Sequence, residues 1–153
     1  MSQAVVFRQA DRADLEGIVA LLADDALGAG REDASLPLDS AYGRAFAAIA
    51  RDQNQLLAVA EAAGRIVGTL QLSFIPGLSR RGMTRGQIEA VRIAADQRSA
   101  GLGQAMFEWA IATCREHGCA LVQLTTDKSR PDAHRFYERL GFVASHEGFK
   151  LSF

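Results

Sequence analysis

The sequence predicts one α/β (α+β) domain over residues 1–153, and three observations predict it. Strand-like and helix-like segments interleave along the whole chain, as in a layered mixed sheet with helices on its faces. The apolar run Ile88–Ala94 leads through a loop holding Gly101 and Gly103 into Phe107, Ala110, Ile111 and Cys114, spaced i, i+3, i+4 and i+7 like one helical face. Nearly half of the residues, 48%, are hydrophobic, enough for one core in a chain of this size.

Val5-Val6-Phe7-Arg8 reads as a first strand. Asp11 is an N-cap residue, and Leu15, Ile18, Val19 and Leu22 form a helical stripe behind it. A polar loop, Gly28 to Leu38, separates this helix from a second, with Tyr42, Ala45, Phe46 and Ile49 on one face. Leu56–Ala60 and Ile66–Phe74 read as strands joined by a tight turn ending at Gly64. In the second, Leu70, Leu72 and Phe74 alternate with Thr69, Gln71 and Ser73, the period of a half-buried strand. Pro76 to Gly86 is expected to be a loop, followed by the strand Ile88–Ala94 and a helix that Gly118 stops. Ala120–Thr126 is another apolar strand. Pro131 suits a first helical turn and Gly141 closes that short helix. Phe142–Ala144 and Phe149–Phe153 are expected to form a last strand pair.

The formal net charge of −1 favours neither nucleic acid nor an acidic membrane surface as partner. No apolar run reaches transmembrane length, and the start, Met1-Ser2-Gln3-Ala4, lacks the basic and apolar regions of a leader, so a cytoplasmic location is expected. Cys114 and Cys119 are too few for a disulfide framework, and both are expected to be core thiols. His117, His134 and His146 show no metal-ligand spacing, so no metal site is expected.

The glycine loop Arg98-Ser99-Ala100-Gly101-Leu102-Gly103 carries the chemistry. First-turn N–H groups of a helix have no partner within it, and the helix dipole adds partial positive charge there. Glycine removes the Cβ atoms that would hold a phosphate away, so this segment suggests a phosphorylated cofactor.

Two motifs resemble the GCN5-related N-acetyltransferase (GNAT) superfamily. Arg98–Gly103 matches its Gln/Arg-x-x-Gly-x-Gly/Ala signature, and Phe136-Tyr137-Glu138-Arg139-Leu140-Gly141-Phe142 matches its C-terminal one. The resemblance implies the acyl-CoA N-acyltransferase fold, a mixed twisted sheet of about six to seven strands with about four helices. It also implies acetyl-CoA as co-substrate and transfer of its acetyl group to an amine. The pyrophosphate is then expected on Arg98, Ser99, Ala100, Gly101, Leu102 and Gly103. The pantetheine is expected to pair like an added strand with the backbone of Val91, Arg92 and Ile93. Where many members carry Asn, this chain has Arg130, and Arg130, Lys128 or Ser129 is expected on the cofactor arm.

Acetylating an amine requires removing a proton from the acceptor and supplying one to the departing thiolate. Glu89, on the strand expected to line the cofactor and in an apolar setting, is the candidate base or amine ligand. The alternative is a structural carboxylate paired with Arg92 or a loop arginine. Tyr137 is the candidate acid, since in similar enzymes this phenol points at the acetyl-CoA sulfur; the alternative is a core tyrosine bonded to backbone. Arg80, Arg81 and Arg85 are expected near the mouth of the site, to bind a carboxylate or phosphonate of the acceptor or to remain solvated.

The segment Asp132–Tyr137 followed by Ser145-His146 is similar to aminoalkylphosphonate N-acetyltransferases, which makes His146 a candidate for the acceptor pocket. The second helix, with Arg31, Glu32 and Asp33 before it, is expected to cap the acceptor side, and Trp109 to pack. The leading expectation is a small-molecule amine acetyltransferase, with a homodimer as its expected assembly. Acetylation of a protein lysine or N-terminus, and a non-catalytic acyl-CoA sensor, are the alternatives.

Overall fold

The computed structural model describes residues 4–153; Met1, Ser2 and Gln3, part of the leader reading, lie outside the described residues. One sheet runs in the order β1-β2-β3-β4-β5. Strands β1 (Val5–Gln9), β2 (Gln55–Ala62), β3 (Arg65–Pro76) and β4 (Thr84–Ile93) pair antiparallel in succession, and β5 (Leu121–Gln123) joins β4 in parallel. The helices are α1 (Leu15–Ala23), α2 (Ser40–Arg51), the four-residue turn α3 (Ser79–Gly82), α4 (Leu102–Glu116) and α5 (Pro131–Arg139).

The alternation read in β3 is the one that builds the core. Leu70, Leu72 and Phe74 are buried in one cluster with Met106, Phe107, Ala110 and Cys114 of α4. Small residues let α4 approach this face. A Cβ on Gly86 would stand 2.6 Å from Cys114 Sγ, and one on Gly68 3.1 Å from Met106 Sδ. Cys114 is therefore a buried thiol in contact with its neighbours, as its place on the apolar helix face suggests. Trp109 joins the rim of the same core and packs against Phe7, with ring centroids 6.0 Å apart. The turn between β2 and β3 places Ala63 (φ 49°) and Gly64 (φ 75°) in the left-handed region, the backbone of a tight two-residue hairpin.

Three expectations are corrected. The sheet has five strands among the described residues rather than six or seven, because Phe142–Ala144 and Phe149–Phe153 form no ladder. Phe149, Leu151 and Phe153 keep a strand's alternation, but a strand exists only where another edge takes its backbone bonds, and this tail has none. β5 is confined to Leu121–Gln123, shorter than the apolar run. Thr84, Arg85 and Gly86 belong to β4 rather than to a loop, since Ile75 and Phe74 of β3 face Arg85 and Gly86 in register. Helix α2 starts at Ser40, where Asp39 accepts the Ala41 N–H at 2.8 Å.

At the other end of the sheet Asp11 caps as expected, but the turn it opens is 3-10 (Arg12–Asp14) and continues into α1. The cap is reciprocal: Asp11 accepts the Ala13 N–H and Asp14 accepts the Asp11 N–H, both at 2.8 Å. The buried Asp14 carboxylate also accepts both terminal nitrogens of Arg8, at 2.7 and 2.9 Å, and Arg8 reaches Glu61 of β2 at 2.7 Å. These hydrogen bonds from Arg8 outweigh burial and hold the Asp14 carboxyl below the usual carboxylate range. One carboxylate thus joins β1, the entry to α1 and, through Arg8, β2.

No described helix is long and apolar enough to cross a membrane. Asp14→Ala is expected to lower unfolding free energy by about 2 kcal/mol at neutral pH, since it removes the charge-assisted bonds to Arg8 and to the Asp11 N–H and leaves Arg8 with Glu61 as its hydrogen-bonded carboxylate. The folded pKa is depressed, so this contribution is present above the ordinary carboxylate pKa and lost as pH falls through the folded value. Denaturant titrations of variant and parent are expected to differ at pH 7 and to converge near pH 2.

Candidate active site

The site begins with a strand that loses one of its partners. β4 pairs with β5 only through Arg85, Gly86 and Gln87, opposite Leu121, Val122 and Gln123. It then runs six residues further, to Ile93, with β3 on one side. The register against β3 shifts at this point, and Ala90 has φ 53°, a bulge that bends the strand as it leaves β5. Val91, Arg92 and Ile93 lie in the unshared stretch, which offers backbone groups to an added extended chain. In this structure arginines occupy two of those carbonyls: Arg92 Nη1 donates to Val91 O at 2.9 Å and Arg98 Nε to Ile93 O at 3.2 Å.

Beyond Ile93 the chain enters the glycine loop. Ser99 (φ 66°) and Gly101 (φ 82°) adopt left-handed backbone, and Gly101 stands as N-cap of α4 with no side-chain cap on the first turn. Leu102 is buried and anchors the helix start. A Cβ on Gly101 would meet nothing within 4 Å, and one on Gly103 only Phe136 at 3.9 Å and Ile93 at 4.0 Å. Glycine at 101 thus answers the backbone conformation, and the uncapped first turn faces open space. Both features fit a pyrophosphate. Arg98 is exposed, and its Nη2 donates to Asp24 O at 3.3 Å.

Two further arginines converge beside it. Arg130, at the start of α5, donates to both Asp25 oxygens at 2.8 and 3.1 Å, and Arg92 lies 3.5 Å from the same carboxylate. Asp25 also accepts the Gly28 N–H at 3.1 Å, which closes the turn after α1. Burial pushes the Asp25 carboxyl up, but the Arg130 bond and the Arg92 charge outweigh it and hold it below the usual range. Asp25 therefore ties the end of α1 to β4 and α5, with two cations for one carboxylate.

Tyr137 projects from α5 into an aromatic cluster, edge-on to Phe107, Phe136 and Phe142 at centroid distances of 5.5 to 6.1 Å. Its hydroxyl has no hydrogen-bond partner among the described residues, so it is not a core tyrosine bonded to backbone. Burial raises its pKa above the ordinary phenol value, against the pull of the Arg130 and Arg92 charges, so the proton is kept through neutral pH. Arg98 thus reaches the turn at Asp24 and Asp25 that Arg92 and Arg130 also line, and the charges of those last two arginines act on Tyr137.

Glu89 stands on β4 just before the bulge, and its setting is corrected. It is exposed, and its neighbours are amides rather than apolar groups. Gln87 Nε2 donates to Glu89 Oε1 at 2.6 Å, and Gln123 Nε2 to Gln87 Oε1 at 2.9 Å. Neither Arg92 nor a loop arginine pairs with it, since Arg92 is taken by Asp25. The amides escaped the sequence reading. The signal was there in Gln87 and Glu89 at i and i+2, which share one face of a strand whose other face is apolar.

The arginine loop is not at the mouth of the site. Arg80 and Arg81 sit at the exposed hairpin tip in left-handed backbone, beyond Thr84, five residues from Glu89 and so about 17 Å along the strand. Arg85 alone shares the β4 face of Gln87 and Glu89. His146 is exposed and bonds to Ser145 at 2.7 Å. His117 is structural: its ring stacks on Phe74 at 4.1 Å and its Nδ1 lies 2.9 Å from Thr113 O. Tyr42 of α2 accepts the Asp33 N–H at 3.0 Å and donates to Glu32 at 2.7 Å, fastening the preceding loop to that helix.

Comparison with known proteins gives the family. The sequence model described as the Acetyltransferase (GNAT) family matches residues 17–142. An aminoalkylphosphonate N-acetyltransferase of Salmonella typhimurium is 32% identical over 109 residues, 71% of this chain and 70% of that protein. A glucosamine 6-phosphate N-acetyltransferase of Trypanosoma brucei brucei is 39% identical over 89 residues, and the match spans 58% of each chain. Among solved structures, one described as a transcriptional regulator from Bacillus halodurans C-125 superposes with a TM-score of 0.95 at 50% identity, covering 98% of this chain and all of that one. Matched by the family model over most of its length, the chain belongs to the GNAT family of acetyl-CoA-dependent N-acetyltransferases.

Proposed function

We propose that this protein acetylates the primary amine of a small molecule by direct attack, with acetyl-CoA as donor. The observation that carries the reading is the half-paired β4: a free strand edge with an uncapped helix start at one end and an exposed carboxylate where the two strands part. Backbone groups of Val91, Arg92 and Ile93 hold the pantetheine arm, and Arg98–Gly103 with Arg130 hold the phosphates. Acetyl-CoA supplies an activated thioester. The Val91 N–H polarises the acetyl carbonyl, and Glu89 takes the proton of the acceptor ammonium at its carboxylate oxygen, directly or through water. Tyr137 gives its phenolic proton to the departing sulfur. A raised phenol pKa suits this role, since the protonated form persists well above neutral pH.

An acetyl-cysteine route is not favoured. Burial first, then Cys119, pushes the Cys114 thiol up to about 12, so it is not a thiolate at neutral pH. For the acceptor, the names of the Salmonella and Trypanosoma relatives pair an amine with a phosphonate or a phosphate, and the proposed class is a small amine bearing such an anion. The two free cysteines suit a reducing, cytoplasmic setting.

The protein is further proposed to act as a homodimer. Phe149 and Leu151 are 93% and 81% exposed and alternate with Phe153 as an exposed apolar strip, and the β5 edge of the sheet is unshared among the described residues.

CoA release is to be measured against aminophosphonates, amino sugar phosphates, amino acids, polyamines and peptides. Turnover with at least one small amine is expected. Tyr137→Phe is expected to lower kcat on the order of 10²-fold while the acetyl-CoA KM stays within about twofold. Unchanged turnover in the variant, with chemistry rate-limiting, removes the acid role. Sedimentation is expected to give a dimer that Leu151→Ser weakens, and a monomeric parent discards the interface.

A further inference from the structure

We infer that Gln87 and Gln123 form a directional hydrogen-bond relay that positions the Glu89 carboxylate; the inference rests on the base role proposed above. The register of the sheet places the relay. Gln123 of β5 lies directly opposite Gln87, in the last pair before β4 and β5 part, and Gln87 and Glu89 occupy the same face two residues apart. The relay therefore crosses the seam between the strands at the point where the cofactor edge begins.

Its direction follows from the chemistry of the amide, which has one oxygen acceptor and one NH2 donor. Gln123 Nε2 donates to Gln87 Oε1 at 2.9 Å, which fixes the oxygen of Gln87 toward β5. The NH2 of Gln87 is then turned toward β4's next residue on that face, and it donates to Glu89 Oε1 at 2.6 Å. The acceptor is a carboxylate, so this second bond is the charge-assisted and stronger one.

The other polar neighbour of Glu89 is committed elsewhere. Gln71 lies opposite Glu89 on β3, but its Nε2 donates to Gln55 Oε1 at 2.9 Å, and Ser73 Oγ donates to the same oxygen at 2.9 Å. Gln87 is thus the one side-chain partner of Glu89 among the described residues, and Oε2 has none. A long, exposed side chain on a strand otherwise samples several rotamers. The relay removes that freedom through Oε1 and leaves Oε2 for the amine. Gln87 and Gln123 touch no reacting atom in this scheme and act through Glu89.

A double-mutant cycle on the full chain tests the relay, with the panel amine that gives the fastest CoA release as acceptor. Gln87→Met keeps the length of the side chain without its amide and is expected to lower kcat about tenfold, with the acetyl-CoA KM within about twofold. Gln123→Met, one bond further away, is expected to lower kcat about threefold. Added to Glu89→Gln, Gln87→Met is expected to cause no further loss, because the group it positions is already gone. A multiplicative loss in the Glu89→Gln background means that Gln87 acts independently and overturns the relay, as does a wild-type kcat in Gln87→Met. If Gln87→Met does not fold, Gln123→Met carries the same cycle. Wild-type turnover in Glu89→Gln, or no acetylated amine in the panel, overturns the base or transfer reading itself and the relay with it.

Discussion

Strand β4 must satisfy two different neighbours along one backbone. Over Arg85–Gln87 it is held on both edges, and beyond the bulge at Ala90 it is held on one. Buried backbone groups require partners, so a strand that gives up an edge inside a domain needs something in place of it. Here the guanidiniums of Arg92 and Arg98 reach the carbonyls of Val91 and Ile93. The same geometry that makes the edge costly makes it the edge proposed to take up an extended, amide-bearing chain. The aromatic cluster of α5, the glycine start of α4 and the Asp25 turn are all arranged around this opening.

Charge is distributed along the opening in a consistent way. The proposed cofactor side collects Arg92 and Arg130 around the one Asp25 carboxylate, with Arg98 on the neighbouring Asp24 carbonyl, and this excess of positive charge favours an anionic partner. The proposed acceptor side, by contrast, is an amide-lined sheet face with one exposed carboxylate. Gln55, Gln71, Ser73, Gln87 and Gln123 are paired with one another or with Glu89, so around that carboxylate the face is built mainly of neutral polar groups. Separation of the two regions follows from strand register: Arg92 and Glu89 share a face but stand on opposite sides of the bulge.

Asp14 and Asp25 show how few residues hold this arrangement. One closes the entry to α1 and the other its exit, and each pairs with arginine from the sheet. The helix that flanks the opening is pinned at both ends by carboxylates that stay ionised because a guanidinium donates to them. Packing then supplies the rest, through Gly68 and Gly86, where a side chain would push α4 away from β3 and β4.

The sequence by itself determined what depends on local pattern. The alternation of Leu70, Leu72 and Phe74, the helical stripe of α4, the caps and turns at Asp11, Gly64 and Pro131, and the Arg98–Gly103 loop are short-range features, and each is where it was expected. Only the tertiary structure decided what depends on register between distant segments. It joined Arg130 to Asp25 across 105 positions, turned Gln123 toward Gln87, moved Arg80 and Arg81 to the far end of the hairpin and placed Glu89 among amides. It also left the C-terminal apolar residues without a ladder. Periodicity says that a segment is able to pair, whereas pairing itself is a property of two edges, and a sequence states only one of them at a time.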